Sequence, residues 1–233
     1  AGVITTHEAM RQILLTETKQ KNICVIPNAI DTNQPQFKTV AKSEGPLHFG
    51  WSGSLTHFED VLLIHDSLLS MYKSGEPFTM AYGGFNGQSE VSKAIMGVLS
   101  CRGVAKPEQY INIPVVGVQD YAKFYDAIDV ALIPLRDNRF NRMKSNLKLI
   151  EAGFKKTAVI VSDVEPYKGM LRHGENCLVV KKKGDWYKHM MYLIKHPERA
   201  SELAEQLYND VQVQHIDNTI ETRYQFYKSI CSN

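Results

Sequence analysis

The sequence predicts an α/β fold, a Rossmann-like doubly wound parallel sheet of about six strands. Two observations carry this expectation. Short apolar runs alternate with amphipathic helical stretches over most of the 233 residues, the signature of parallel βαβ units. The runs that read as strands stop at glycine, proline or short polar residues, the usual punctuation at strand ends.

The first strand is Leu47-His48-Phe49-Gly50-Trp51-Ser52-Gly53, followed by a helix carrying Val61, Leu62, Ile64, Leu68 and Leu69. Phe78 to Tyr82 is the second strand, closed by the turn Gly83-Gly84-Phe85-Asn86-Gly87, with a helix from about Glu90 to Leu99 behind it. Ile111 to Val116 reads as a third strand and Asp120 to Tyr125 as a short helix. Val130 to Ile133 is a fourth strand stopped by Pro134, and a long polar loop leads to a helix opened by Ser145. Ala158 to Val161 and Cys177 to Val180 are the fifth and sixth. From Asp185 onward the pattern is helical: Trp186 to Ile194, Glu198 to about Val211, and a last stretch with Ile216, Ile220, Tyr224 and Tyr227 on one face.

The first 45 residues stand outside this series: a strand-like Val3-Ile4-Thr5, a helix with Ala9, Ile13 and Leu14, then Ile23 to Asp31 and a polar linker from Thr32 to Gly45. They read as the tail of a preceding domain and a connector. The expected division is 1–43 for that tail and linker, 44–213 for the Rossmann-like domain, and 214–233 for a closing helix that crosses back. The opening without an initiator Met fits an excised fragment.

Composition narrows the function classes. A net charge of +2 gives no case for general nucleic-acid binding. Cys24, Cys101, Cys177 and Cys231 are scattered, with neither C-x-x-C nor His/Cys metal spacing, so a reducing, cytoplasmic setting is expected and no metal. No apolar run reaches the roughly 18–20 residues that span a bilayer.

The richest chemistry lies in Phe140 to Gly153. Ser145 is a good N-cap residue, which would leave the amides of Asn146, Leu147 and Lys148 facing out of a helix N-terminus. Such a terminus suits a phosphate. Lys144, Lys148 and Glu151, four and three apart, share one helix face, bringing a cation for a diphosphate beside a carboxylate for sugar hydroxyls. On spacing alone the same residues read equally as a capped surface helix with an ordinary Lys–Glu pair. His57 is read either as approaching donor phosphates from its loop or as facing solvent. Asp129 and Asp163 read as strand-end residues. Gly83-Gly84-x-x-Gly87 lacks dinucleotide-fingerprint spacing, which argues against a dehydrogenase. Lys181-Lys182-Lys183 reads as a solvated turn, with a membrane surface as the sharper alternative.

The Lys144-Ser-Asn-Leu-Lys-x-x-Glu-Ala-Gly segment resembles the donor-binding motif of retaining glycosyltransferases of the GT-B fold (glycosyl transferases group 1). The neighbouring matches follow the family's order. Val25 to Asp31 is similar to "IPNGVD", Gly50 to Ser54 to the first strand and glycine turn, and Val116-Gly117-Val118 to the base-receiving segment. Tyr125 to Val130 is similar to "YxxADV", Ala158 to Asp163 to "PVVASD", and His173 to Val180 to "HGENGLLV". The resemblance covers about residues 2–230.

It implies a hexosyltransferase moving sugar from a nucleotide-diphosphate sugar to a glycan or lipid-linked acceptor, with retention and without metal or other cofactor. Glu151 would bind the ribose hydroxyls; Gly53, Ser54, His57, Ser145, Asn146 and Leu147 would cradle the diphosphate; Gly117 and Val118 would receive the base. Two departures stand out. Met143 occupies the position of the family's sugar-binding glutamate, and Ser54 to Asp60 lacks the Arg and Lys that neutralise the diphosphate. Lys144 and Lys148 would supply that charge and act as the catalytic cations, helped by Arg139 or Arg142. The acceptor would be held by the N-terminal domain, giving this chain little activity alone. Surface-polysaccharide synthesis and peripheral contact with the inner membrane face are further expectations. A non-catalytic module derived from a GT-B half is the alternative. Nucleotide-sugar epimerases use the same fold, but no acid–base pair around the sugar is found.

Overall fold

The computed structural model describes residues 1–42 and 45–231. The expected boundary at 43/44 therefore lies outside the described residues.

Strands β1 (Val3–Thr5) and β2 (Ile23–Val25) pair in parallel as a small sheet, with helix α1 (Glu8–Glu17) crossing between them. His7 caps α1, its Nδ1 accepting from the Met10 amide at 3.3 Å. The large sheet contains β3 (His48–Ser52), β4 (Thr79–Phe85), β5 (Tyr110–Pro114), β6 (Val130–Ile133), β7 (Ala158–Ser162) and β8 (Leu178–Val180). Its order is β5-β4-β3-β6-β7-β8 and every pairing is parallel. The order reverses between β3 and β6, where crevices at the carboxyl ends of such sheets hold ligands.

Two-residue periodicity builds two cores. Phe49, Trp51, Met80, Tyr82, Leu132 and Ile160 face one layer, while Ala81, Ala131, Ile133, Val159 and Val161 face the other. The first layer is closed by α2 (Phe58–Val61), α3 (His65–Ser74), α4 (Glu90–Leu99) and α8 (Asp185–Lys195), the second chiefly by α6 (Leu147–Phe154). Helix α9 (Pro197–Val211) gives Leu203 to the first and Leu207 and Val211 to the second. Two four-residue helices, α5 (Arg139–Arg142) and α7 (Glu165–Lys168), lie in loops, and α10 (Ile216–Cys231) ends the described chain.

Two expectations are corrected. The helix after β3 is broken into 3₁₀ turns at Leu55–His57 and Leu62–Ile64 around α2 and α3. Asp60 is buried in that break and receives hydrogen bonds from the β6 side of the sheet, so tertiary contacts set the bend. Gly83 and Gly84 are not a turn but part of β4, which runs on to Phe85 with an irregular register against β5. Gly84 has φ +93°, a region glycine enters without strain.

The polar linker, exposed over most of its described length, is anchored at its middle. Its 3₁₀ turn, Pro35–Phe37, buries Gln36 and Phe37. Gln36 donates to the Val118 carbonyl and accepts from the Ala122 amide, both at 3.2 Å, and Phe37 meets the Tyr121 ring edge-on. Two lysines hold the rest: Lys155 Nζ donates to the Gln36 and Lys38 carbonyls, and Lys42 Nζ to those of Tyr125 and Ile128. Along α10 the covered positions are Ile216, Thr219, Arg223, Phe226 and Ile230, while Ile220, Tyr224 and Tyr227 of the apolar stripe are exposed. Gly2 packs close against this helix, since a Cβ there would lie 2.7 Å from the Phe226 ring.

Candidate functional site

A cleft of about 830 Å³ opens at the carboxyl ends of β3, β4 and β5. Ser52 to Leu55 and Gly83-Gly84 form its floor, Ile113 to Val116 one rim, and Tyr121, Phe124 and Lys148 the opposite wall. Gly53 is needed for close approach: a Cβ there would come 2.8 Å from the Trp51 ring and 3.1 Å from Lys148 Nζ.

Helix α6 delivers the charged wall. Lys148 Nζ donates to the Ser52 carbonyl at 2.6 Å and lies 5.4 Å from the centre of the Trp51 ring. Burial lowers its pKa to about 8, against the opposing pull of Glu151. Glu151, one turn on, is 5% exposed and accepts from the Tyr125 hydroxyl at 3.1 Å. Burial raises its pKa, offset in part by Tyr121, Tyr125 and Lys148. A carboxylate accepts several hydrogen bonds at once, so Glu151 can serve two neighbouring hydroxyls if a ligand displaces its tyrosine partners.

Ser145 is not the N-cap. The cap position is Asn146, whose side chain makes no capping bond and instead donates to Met170 Sδ at 2.8 Å and Gln214 Oε1 at 3.2 Å. The Ser145 hydroxyl accepts from Asn28 Nδ2 at 2.8 Å, so a tertiary partner claims the group that would have folded back. The consequence for anion binding survives: the amides of Asn146, Leu147 and Lys148 meet no acceptor among the described residues.

Lys144 belongs to a second cluster, around Asp60. His57 Nδ1 lies 2.8 Å from Asp60 Oδ2, and Lys144 Nζ lies 3.8 Å from the same oxygen and 3.4 Å from His57 Nδ1. Asp60 Oδ1 accepts from Asn141 Nδ2 and the Arg136 amide, each at 2.9 Å. Burial works to raise the Asp60 pKa, but His57, the Arg136 amide and Lys144 together bring it below the usual carboxylate value. Burial lowers that of Lys144. A second link fixes this loop from behind, His7 Nε2 lying 2.9 Å from the Lys144 carbonyl oxygen.

Other sequence candidates lie apart. Of the sequence candidates only Gly53, Ser54 and Lys148 line the cleft itself; His57, Lys144, Ser145, Asn146, Leu147 and Glu151 lie outside its lining, as do Gly117 and Val118. Val118 is 73% exposed, and the carbonyls of Gly117 and Val118 already accept within the chain, from Asp120 and Gln36. Arg139 pairs with Glu17 on α1 and Arg142 with Asp137, so neither is turned to the cleft's lysines. Met143 follows α5 at the edge of the Asp60 cluster. Asp129 accepts from the His48 amide at 2.8 Å, a strand-end role. Asp185 caps the amides of Lys181 and Lys182, and Lys183 pairs with Asp66.

Sequence reading missed Asp60, Asn141, Tyr121, Tyr125, Asn28 and Gln214. Only Asp60 left a local signal, three residues after His57 on the same helical turn. Among the described residues no group of three or more His, Cys, Asp and Glu side chains could hold a metal, and no helix is long and apolar enough to cross a membrane.

Comparisons with known proteins agree with the fold. A comparison with curated protein sequences finds no match. Among solved structures, sucrose-phosphate synthase from Thermosynechococcus elongatus superposes with a TM-score of 0.74 at 15% identity, over 99% of this chain and 58% of that one. HepE from Anabaena, in complex with UDP and glucose, gives 0.74 at 11% identity over 99% and 62%. The C-terminal domain of a glycosyl transferase group 1 family protein (LpcC) from Francisella tularensis gives 0.60 at 17% identity, over 79% of this chain and 97% of that domain. The chain thus spans about three fifths of the first two and has the α/β fold of a GT-B half. The glycosyl transferase-like family matches residues 94–227, more than half of the sequence, and to that family the chain belongs.

Proposed function

We propose that this chain carries the sugar-nucleotide donor site of a glycosyltransferase that transfers a hexose with retention of anomeric configuration. One observation supports this most: a half-buried cation that lines the cleft, Lys148, stands one turn from a buried carboxylate, Glu151, on α6, beside the sheet's switch point. Unpartnered amides at the start of the same helix add a phosphate cradle. Glu151 would take the ribose hydroxyls, and Lys148, Lys144 and the amides would carry the diphosphate. Their fixed charge would stabilise the leaving group as its negative charge grows. The HepE structure with UDP and glucose fits this reading.

In the same proposal, residues 1–43 are the tail of an acceptor domain with its linker, 44–213 the donor domain, and 214–233 the helix that crosses back. The acceptor, a glycan or lipid-linked sugar, would be held mainly by the other half, and the Lys181–Lys183 turn would touch the membrane face. A non-catalytic descendant is the second reading, favoured by Met143 at the sugar-binding glutamate's position.

Calorimetric titration with UDP, GDP, ADP, dTDP and CMP tests the donor site. One nucleotide should bind selectively, and Glu151→Ala should abolish that binding. Failure of every nucleotide to bind would overturn the reading. Transfer assays with the full-length protein then separate enzyme from descendant.

A further inference from the structure

The cluster around Asp60 holds more than positive charge. Asp60 is 4% exposed and locked through its other oxygen by Asn141 and the Arg136 amide, so it is a fixed anion. At 2.8 Å it takes the proton on His57 Nδ1. That bond fixes the tautomer: neutral His57 then bears a lone pair on Nε2, which repels a phosphate oxygen, whereas the imidazolium offers an N–H.

We infer that His57 takes up a proton when the donor diphosphate binds, with Asp60 as its counter-charge, so that anion binding and protonation are one event. This rests on the donor-site reading above. The charged groups acting on His57 are Asp60 on α2, Lys144 after α5 and Lys148 on α6; the neighbouring Glu59 is paired with Arg136 after β6 at 2.9 Å, and Tyr167 on α7 feels the Asp60 charge. The Asp60 hydrogen bond favours the charged ring, but burial, Lys148 and Lys144 outweigh it and hold His57 below its ordinary pKa. A diphosphate entering beside those lysines would cancel their repulsion, and the proton would follow. Lys148, titrating at about 8, is mostly charged at pH 7 and contributes little to that uptake.

The test is calorimetry of the chain at pH 7 with UDP-glucose, GDP-mannose and ADP-glucose, whose diphosphates do not titrate near neutrality, in two buffers of different ionisation enthalpy. The sugar nucleotide that binds should bring about one proton with it, and affinity should fall between pH 6 and 8, as expected for a titrating imidazole. His57→Gln should bind with little proton uptake at pH 7 and a pH profile that is flat from 6 to 7, keeping only the fall near pH 8 that Lys148 sets. In the wild type, nitrogen NMR of the ring should show Nε2 gaining a proton on binding, a readout independent of how the variant folds. Binding without proton uptake, or equal uptake by His57→Gln, overturns this inference and leaves the donor site standing. No binding of any of the three, together with none of UDP, GDP, ADP, dTDP or CMP, overturns both.

Discussion

The two ends of the cleft are built from different materials. At one end Lys148 lines the cleft, bonded to the Ser52 carbonyl, with the Glu151 carboxylate one turn on along α6 and the separate cluster of Lys144, His57 and Asp60 acting on it by charge. At the other, Val115 and Val116 present exposed apolar side chains, 62% and 50% accessible, with Gly117 and Val118 just beyond. The charged end uses side chains whose chemistry identifies their partner. The rim offers surface and main chain, and its side chains carry little information about what lies on them.

The comparison breaks first at Glu151. Glu151→Gln should weaken the selected nucleoside diphosphate roughly 100-fold, because hydrogen bonds to a charged group contribute about 1.5–3 kcal/mol each. A calorimetric loss below about threefold would show that ribose is held elsewhere. Lys148→Ala comes next, with roughly tenfold weaker diphosphate binding and nucleoside binding nearly unchanged; equal losses for the two ligands would move the phosphates away from Lys148.

A third prediction concerns what the charged end costs the fold. Lys148 has a folded pKa of about 8 against the ordinary 10.5, so its protonated form is the disfavoured one in the folded state. Above pH 8 the unfolded chain holds the proton more tightly than the folded one, and stability gains as pH rises. The urea midpoint of the wild type should therefore rise relative to Lys148→Met between pH 8 and 9.5. Cys101 and Cys177, raised by burial to about 11 and 12, pull the opposite way in both proteins and cancel in the difference. A difference that stays constant with pH would mean that Lys148 is solvated. The smallest effect belongs to the rim: Val118→Ala should change nucleotide affinity less than about twofold, as surface substitutions usually do. A tenfold loss would show that its side chain reads the base.

The same contrast decides what was legible in the sequence. Individual elements were, because short apolar runs and helical periodicity are local signals: the strand Val130–Ile133 and the helix Glu90–Leu99 fall where their residues place them. Lys148 and Glu151 were legible because one helix carries both. Asp60 and Asn141 were not, being 81 positions apart and joined only once the chain folds. Ser145 shows the limit of local reading, since a good N-cap residue gave its hydroxyl to Asn28, 117 positions away. On α10 apolar periodicity marks a stripe but not its cover: Ile216 is partly covered, while Ile220, Tyr224 and Tyr227 are exposed.

Gln36 holds both the Val118 carbonyl and the Ala122 amide, while Phe37 backs Tyr121, so the connector before the large sheet is also the outer brace of the cleft wall. A chain cut back to residue 46 would keep every strand of that sheet and lose the brace. The shortest piece that retains the sheet is therefore shorter than the shortest piece that retains the whole wall, and mutations in residues 34–38 can be felt by a ligand they never touch.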